Sequence, residues 1–452
     1  MVNESMLPVV VVGAGPIGLA AAAHLVDRDQ PVLVLEAGPS AGTGVRAWHH
    51  VRLFSRWAEL IDPAARRLLE TNGWRAPDPD GYPTGSDWAG AYLQPLAEAL
   101  GDRVRFGSRV TGVARRGWDR VVDAARSSEP LTVRMVDATG EQRITARAVI
   151  DASGTWDTPS PLGGDGLPAV GERSAADRIT YRVPNLADRA ERARYAGRRI
   201  AVAGSGHSAL TALVAFAELA AGHPDTHVTW LLRRGHIGNA FGGGASDQLP
   251  ARGALGLRAA QAVQAGHINT VTGFRTSRVD RDSDGRLVLE SFDGPKLDAV
   301  DEVVVLTGFR PDLSWLTEVR LDLDPILQAP RVLAPLIDPN VHSCGTVYPH
   351  GATELAQPEP GVFLVGMKSY GRAPTFLAQT GFEQVRSVVA HIAGDRAGAE
   401  RVELVLPETG VCGGAGLLDG PAGAREQADG CCGPIEQTPR IIGAPVGAGS
   451  FR

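Results

Sequence analysis

Two residue types in this chain could carry chemistry by their spacing, and the first is glycine. Gly13, Gly15 and Gly18, with Pro16 and Ile17 between the last two, form Gly-x-Gly-x-x-Gly directly after the run 9–12, four valines. Gly13 permits the tight turn, Gly15 lets a pyrophosphate approach the backbone, and Gly18 lets the following helix pack against the strand. Glu36 ends the next apolar strand, about 20 residues on, where a carboxylate can take a ribose hydroxyl pair. The pattern returns at Gly204-Ser205-Gly206-His207-Ser208-Ala209, with Ala in the third small position. There the next strand, 228–232, ends in Arg233-Arg234. A cation at this place accommodates a 2′-phosphate that an acid would repel, so this second turn is expected to prefer NADPH to NADH.

The second residue type is cysteine. Of four in the chain, Cys412, Cys431 and Cys432 fall in the final stretch. Consecutive cysteines have Cα atoms about 3.8 Å apart, whereas an unstrained disulfide wants roughly 4.4–6.8 Å. Cys431 and Cys432 are therefore poor partners for each other. Either could pair with Cys412, all three could hold one soft acceptor such as trivalent arsenic, or all three could be inert. The adjacent His49-His50 does not read as a metal site, because neighbours in sequence point apart and no third ligand sits nearby.

The elements that must position these residues follow from periodicity. Buried strands are expected at 9–12, 31–35, 148–151, 199–203, 303–306 and 362–365. The strand ends Asp151-Ala152-Ser153-Gly154 and Thr307-Gly308 are small, so that backbone can lie close to a nucleotide. Segments 104–114, 131–137 and 142–148 alternate as a small meander, and a second meander surrounds the turn 281–285. Arg46 to Trp57, rich in aromatic and basic residues and including Trp48, reads either as the wall of a flat-ring cofactor pocket or as a helix packed on the core. A helix from 92 should end near Gly101, and Pro374 should open a helix from Thr375 to Ala393. From Pro407 the chain turns Gly- and Pro-rich and loses periodicity.

The 452 residues suffice for two domains or more, and the net charge of −6, without any basic run, argues against nucleic acid. No segment approaches the ~20 apolar residues of a membrane span. With four cysteines, too few for a disulfide framework, a reducing cytoplasmic setting is expected.

Two nucleotide units, the second inserted in the first, resemble the two-dinucleotide-binding-domain flavoproteins. That group includes thioredoxin reductase-like enzymes and flavin-dependent monooxygenases of the N-hydroxylating and Baeyer–Villiger type. The resemblance covers about residues 7 to 395. It implies an α/β fold with two Rossmann-like dinucleotide-binding domains, the NADPH domain inserted in the FAD domain, each with a small β-meander. The implied division is 1–170 and 326–405 for FAD, 195–325 for NADPH, and 406–452 as a Gly/Cys-rich tail. Gly13, Gly15, Gly18 and Glu36 match the FAD pyrophosphate and ribose positions, and Ala152 and Gly154 a small-residue strand end. Pro16, Ile17, Ala37, Trp48, Val110, Gly366, Met367 and Thr375 are further cofactor-binding candidates, with no side-chain contact to the flavin ribityl chain carried over to Gly366-Met367. NADPH contacts fall on Gly204, Gly206, His207, Ser208, Ala209, Arg233, Arg234, Thr307 and Gly308.

The departures are informative. There is no Cys-x-x-Cys, so the redox dithiol of thioredoxin reductases is missing. The Phe-x-Gly-x-x-x-His motif of many monooxygenases is replaced before Gly204 by Ile179-Thr180-Tyr181-Arg182-Val183-Pro184, and the late Gly-Asp pair is Gly366-Met367. A narrower resemblance is to bacterial flavoproteins encoded beside arsenic-resistance genes. It rests on Tyr195 to Arg199 with Gly204 to Ala209, and on Leu406 to Cys412 with Cys431-Cys432-Gly433. It implies a monooxygenase-type enzyme acting on a trivalent arsenical, with the three tail cysteines as catalytic and metalloid-binding residues. The competing expectations are a monooxygenase of a small nitrogen- or sulfur-containing compound, and a metalloid-sensing flavoprotein with little turnover. Molecular oxygen is a candidate co-substrate, and a homodimer is left open.

Overall fold

The computed structural model describes residues 6–247, 249–340, 350–374 and 376–404, all within one compact unit, Met1–Leu418. Thr375, Cys412, Cys431 and Cys432 lie outside the described residues.

The first half contains β1 (Val9–Val12), β2 (Val32–Leu35), β3 (Val104–Arg105), β4 (Arg109–Arg115), β5 (Leu131–Asp137), β6 (Gly140–Ala146) and β7 (Ala148–Asp151). The second half adds β8 (Ile179–Thr180), β9 (Arg199–Ala203), β10 (His227–Leu231), β11 (Ile268–Val271), β12 (Thr276–Arg281), β13 (Leu287–Ser291) and β14 (Glu302–Val305), and β15 (Val362–Leu364) follows. One five-stranded sheet runs β15-β7-β1-β2-β3 and the other β11-β10-β9-β14-β8, with every pairing in both parallel.

Side-chain alternation explains why both faces of each sheet are covered. Along β1, Val9 and Val11 join the cluster built with the helices Pro16–Val26 and Ala378–Ile392, whereas Val10 and Val12 meet Val113, Val133 and Met135 of the β4-β5-β6 meander. The second sheet repeats the plan. Ile200 and Val202 pack with the helix His207–Gly222, while Ala201 and Ala203 face Val279, Leu287 and Leu289 of the β12-β13 hairpin. Two short segments cross between the sheets and pair with each other: Ser160 N–H donates to Gly308 O at 2.8 Å, and Arg310 N–H to Thr158 O at 2.9 Å.

Two expectations are corrected. The single strand expected over 104–114 is two, because Gly107 at φ +62° turns the chain between β3 in the parallel sheet and β4 in the meander. The helix expected to open at Pro374 begins at Ala378, with Leu377 still extended as its N-cap. Phe376 is held off the helix by edge-on packing with Tyr370, ring centroids 4.9 Å apart. No helix among the described residues is long and apolar enough to cross a membrane.

Candidate functional site

The ends of β1, β7 and β15 converge at the carboxyl edge of the first sheet. Gly13 has φ +99°, and a Cβ there would stand 2.8 Å from Ala152 O. A Cβ on Gly18 would fall 1.9 Å from Gly13 O, so strand and helix meet at a distance only glycine allows. Gly15 differs: around the place of its Cβ there is open space out to 4 Å. It is the N-cap of the helix Pro16–Val26, with no side chain capping it, so the first-turn N–H groups face that space. Glu36, at the end of β2, accepts from Ala14 N–H and Gly38 N–H, both at 2.7 Å, and thereby fixes the turn. Gly154, at φ +69°, has open space like Gly15, and Gly366, at φ +68°, lies against Ile17.

The remaining sequence-derived positions scatter around this centre. Ala37 is exposed beside Glu36, and Met367 is half-buried after Gly366. Ser108 N–H donates to Glu36 O, which brings Val110 of β4 near the end of β2. Trp48 is half-buried and packs at the rim of the first core, against the backbone position of Gly85.

The second sheet rebuilds the same turn. Gly204 has φ +130°, and a Cβ there would lie 2.2 Å from Leu306 O. Gly206 and Gly308 have open space, Ser208 is exposed and Ala209 fully buried. His207 opens the helix His207–Gly222. Burial, followed by the charge of Arg252, lowers its pKa to about 4, and its ring lies 5.1 Å from that of Phe54. It therefore stands neutral near pH 7 at the turn.

The two arginines part company. Arg233 is exposed, whereas Arg234 is buried and its guanidinium lies 3.5 Å from the Ser205 hydroxyl. The Thr307 hydroxyl donates to Ser160 O and Pro161 O, so its side chain serves the crossover rather than the open space.

A buried ion pair escaped the sequence reading. Lys368 Nζ lies 2.6 Å from Asp151 Oδ2 and 3.0 Å from Ser153 Oγ, with both charged side chains fully buried. Asp151 Oδ1 in turn accepts from Ser153 N–H and Oγ–H. The ammonium also sits 4.5 Å from the centroid of the Trp315 ring. The pair binds the turn after β7 to the segment after β15. Its signal was a lysine one place beyond the expected Gly-Asp position. Gln384, also fully buried, accepts from Gly366 N–H at 2.7 Å and anchors the same segment to the helix Ala378–Ile392.

A model of the pyridine nucleotide-disulphide oxidoreductase family matches residues 7–356. The chain belongs to this family. It is a family of FAD- and NADPH-dependent flavoproteins, and those are the two cofactors expected from the sequence.

Among solved structures, the fold is shared with the bacillithiol disulfide reductase Bdr (YpdA) from Bacillus cereus. Identity is 20%, the TM-score 0.61, and coverage 86% of this chain and 99% of that one. It is shared equally with DfoA bound to FAD, the cadaverine monooxygenase of the desferrioxamine pathway from Erwinia amylovora. There identity is 14%, the TM-score 0.61, and coverage 89% and 98%. These likenesses show the fold alone.

A curated relative, indole-3-pyruvate monooxygenase YUCCA1 of Oryza sativa subsp. japonica, is 38% identical over 147 residues. That match spans 31% of this chain and 33% of the relative. The family's two nucleotides fit the residues present: each turn pairs a strained first glycine with an unobstructed second one at an uncapped helix start.

Proposed function

We propose that this family member is an FAD-dependent NADPH oxidoreductase of the monooxygenase type. FAD would be held by the turn Gly13–Gly18 with Glu36, Ala152, Gly154 and Gly366, and NADPH by Gly204–Ala209 with Arg233 and Arg234. On this reading 1–170 and 326–405 form the FAD-binding domain, 195–325 the NADPH-binding domain, and 406–452 a tail. When bound, the nicotinamide supplies a hydride and the flavin passes the electrons onward.

The protein's own part is positional. Gly15 and Gly206 admit phosphates to helix N-termini, and Glu36 orients the ribose end. The observation that carries the reading is the recurrence of one turn, with open space at its second glycine, at the carboxyl edge of two parallel sheets. The monooxygenase type is supported by the absence of Cys-x-x-Cys from the sequence and by the identity with a monooxygenase segment.

The clustering of Cys412, Cys431 and Cys432 in the sequence favours a second, narrower reading, in which the substrate is a trivalent arsenical held by these thiols. One experiment tests both. NADPH consumption and hydrogen peroxide yield are measured on the flavin-loaded protein, with and without a trivalent arsenical. Bleaching of the bound flavin by NADPH under anaerobic conditions, reversed on admitting oxygen, supports the oxidoreductase reading, and flavin that NADPH leaves oxidised overturns it; any peroxide measures the uncoupled share. Arsenical-stimulated consumption supports the narrower reading, and an unchanged rate returns the tail cysteines to the inert alternative.

A further inference from the structure

A shallow, open cleft of about 330 Å³ lies beside the crossing segments, next to the strand ends at Gly154 and Gly308. One wall is aromatic: the rings of Trp156 and Phe309 are tilted against each other, with centroids 5.1 Å apart and planes 31° from parallel. Trp156 follows Gly154 at the end of β7, and Phe309 follows Gly308 at the end of β14, so each ring sits just beyond a small-residue strand end. The other wall comes from β8 and the residues after it, Ile179 to Arg182. β8 runs parallel to β14, which sets the cleft along the carboxyl edge of the second sheet, where open parallel sheets bind ligands.

The chemistry of the lining is specific. Tyr181 lines the cleft and packs on the second core, and its hydroxyl is committed to Glu172 Oε1 at 2.5 Å. Burial and that carboxylate both push its pKa upward, so the phenol stays protonated. The charged side chain of the lining is Arg182, whose side chain is 58% exposed and reaches Glu191 only at 3.8 Å. A guanidinium held this loosely can turn to an incoming anion and grip it with two parallel hydrogen bonds. The volume lies at the lower end of small-molecule sites, which run from about 300 to 1,000 Å³, and suits one or two fused rings rather than a dinucleotide.

We infer that this cleft binds a small planar aromatic acid, its ring against Trp156 and Phe309 and its carboxylate on Arg182. This rests on the oxidoreductase reading and gives it an organic substrate class. The test is isothermal titration of the flavin-loaded protein with 2-naphthoate and with its neutral counterpart, 2-naphthamide.

The acid is expected to bind roughly tenfold or more tightly than the amide, the span of one charge-assisted contact. Arg182→Gln should erase that difference while leaving amide binding in place, and Trp156→Ala, or Trp156→Phe if the alanine variant folds poorly, should weaken both ligands. Flavin content and the thermal midpoint serve as checks on folding. Equal affinity for acid and amide in the wild type, an Arg182→Gln variant that still discriminates, or displacement of 2-naphthoate by saturating NADP+ would each overturn the site. A preparation that takes up no FAD or oxidises no NADPH fails the oxidoreductase reading instead, and the two failures are read on separate measurements.

Discussion

At the scale of single residues, the three glycines of the first turn do different work, and substitution can separate them. Gly13 and Gly18 are fixed by the fold, since a Cβ at either would collide with backbone oxygen. Gly15 has φ −79° and open space, so the folded protein itself tolerates a side chain there. Gly15→Val is therefore expected to keep the wild-type thermal midpoint and to lose most of its flavin, read as the ratio of flavin to protein absorbance. Full flavin retention would dismiss the pyrophosphate assignment. Gly18→Val, by contrast, should fail to fold. On the second turn the exposure of Arg233 makes it the freer partner for a 2′-phosphate, while Arg234 is drawn in beside Ser205. A charge-assisted bond to phosphate is worth about 1.5–3 kcal/mol, so Arg233→Ala should narrow the NADPH preference by roughly tenfold to a hundredfold in kcat/KM. An unchanged preference would shift the assignment to Arg234.

At the scale of elements, buried runs and glycine turns were legible because each is local. Four valines in a row and a Gly-x-Gly need no tertiary information to be read. β8 was not legible, because two residues are too few for any period to show; only its pairing with β14 makes it a strand. The Lys368–Asp151 pair was hidden for another reason: its partners stand 217 positions apart and meet only when β7 and β15 become neighbours. Breaking such a buried pair strands a charge. Lys368→Met should thus cost about 3–5 kcal/mol in denaturant unfolding of the holoprotein. Adding Asp151→Asn, which removes the stranded charge yet can still accept from Ser153, should restore a large part of the loss. A single variant within 1 kcal/mol of wild type, on the order of a surface change, would show that the pair is not a structural tie.

At the scale of the whole molecule, the two sheets are one plan used twice, with a difference in how the fifth strand is supplied. Both run four strands out from a central glycine-turn strand, β1 or β9. The first sheet takes its edge strand, β15, from after the second sheet, whereas the second takes β8 from before its own turn. The chain is thereby laced through both sheets, and local changes act on the stability of the whole. His207 offers a test, since it opens the second glycine-turn helix yet packs on Phe54 from the first half. Desolvation and Arg252 lower its pKa from 6.5 to about 4, against a smaller opposing pull from Asp247. In the unfolded chain the imidazole takes a proton near pH 6.5, whereas in the folded chain it resists until about pH 4. Its contribution is accordingly complete above pH 6.5 and lost progressively as the pH falls to about 4. At about 1.4 kcal/mol per unit, the interval from 6.5 to 4 amounts to at most roughly 3.5 kcal/mol. Other carboxylates and histidines titrate over the same range, so the informative quantity is the difference between wild type and His207→Gln. Unfolding free energies measured at pH 7, 6, 5 and 4 should show wild type losing stability faster than the variant across that window. Parallel curves for the two proteins would mean that the imidazole takes up its proton equally well in the folded and unfolded chain, and that its burial does not hold it neutral.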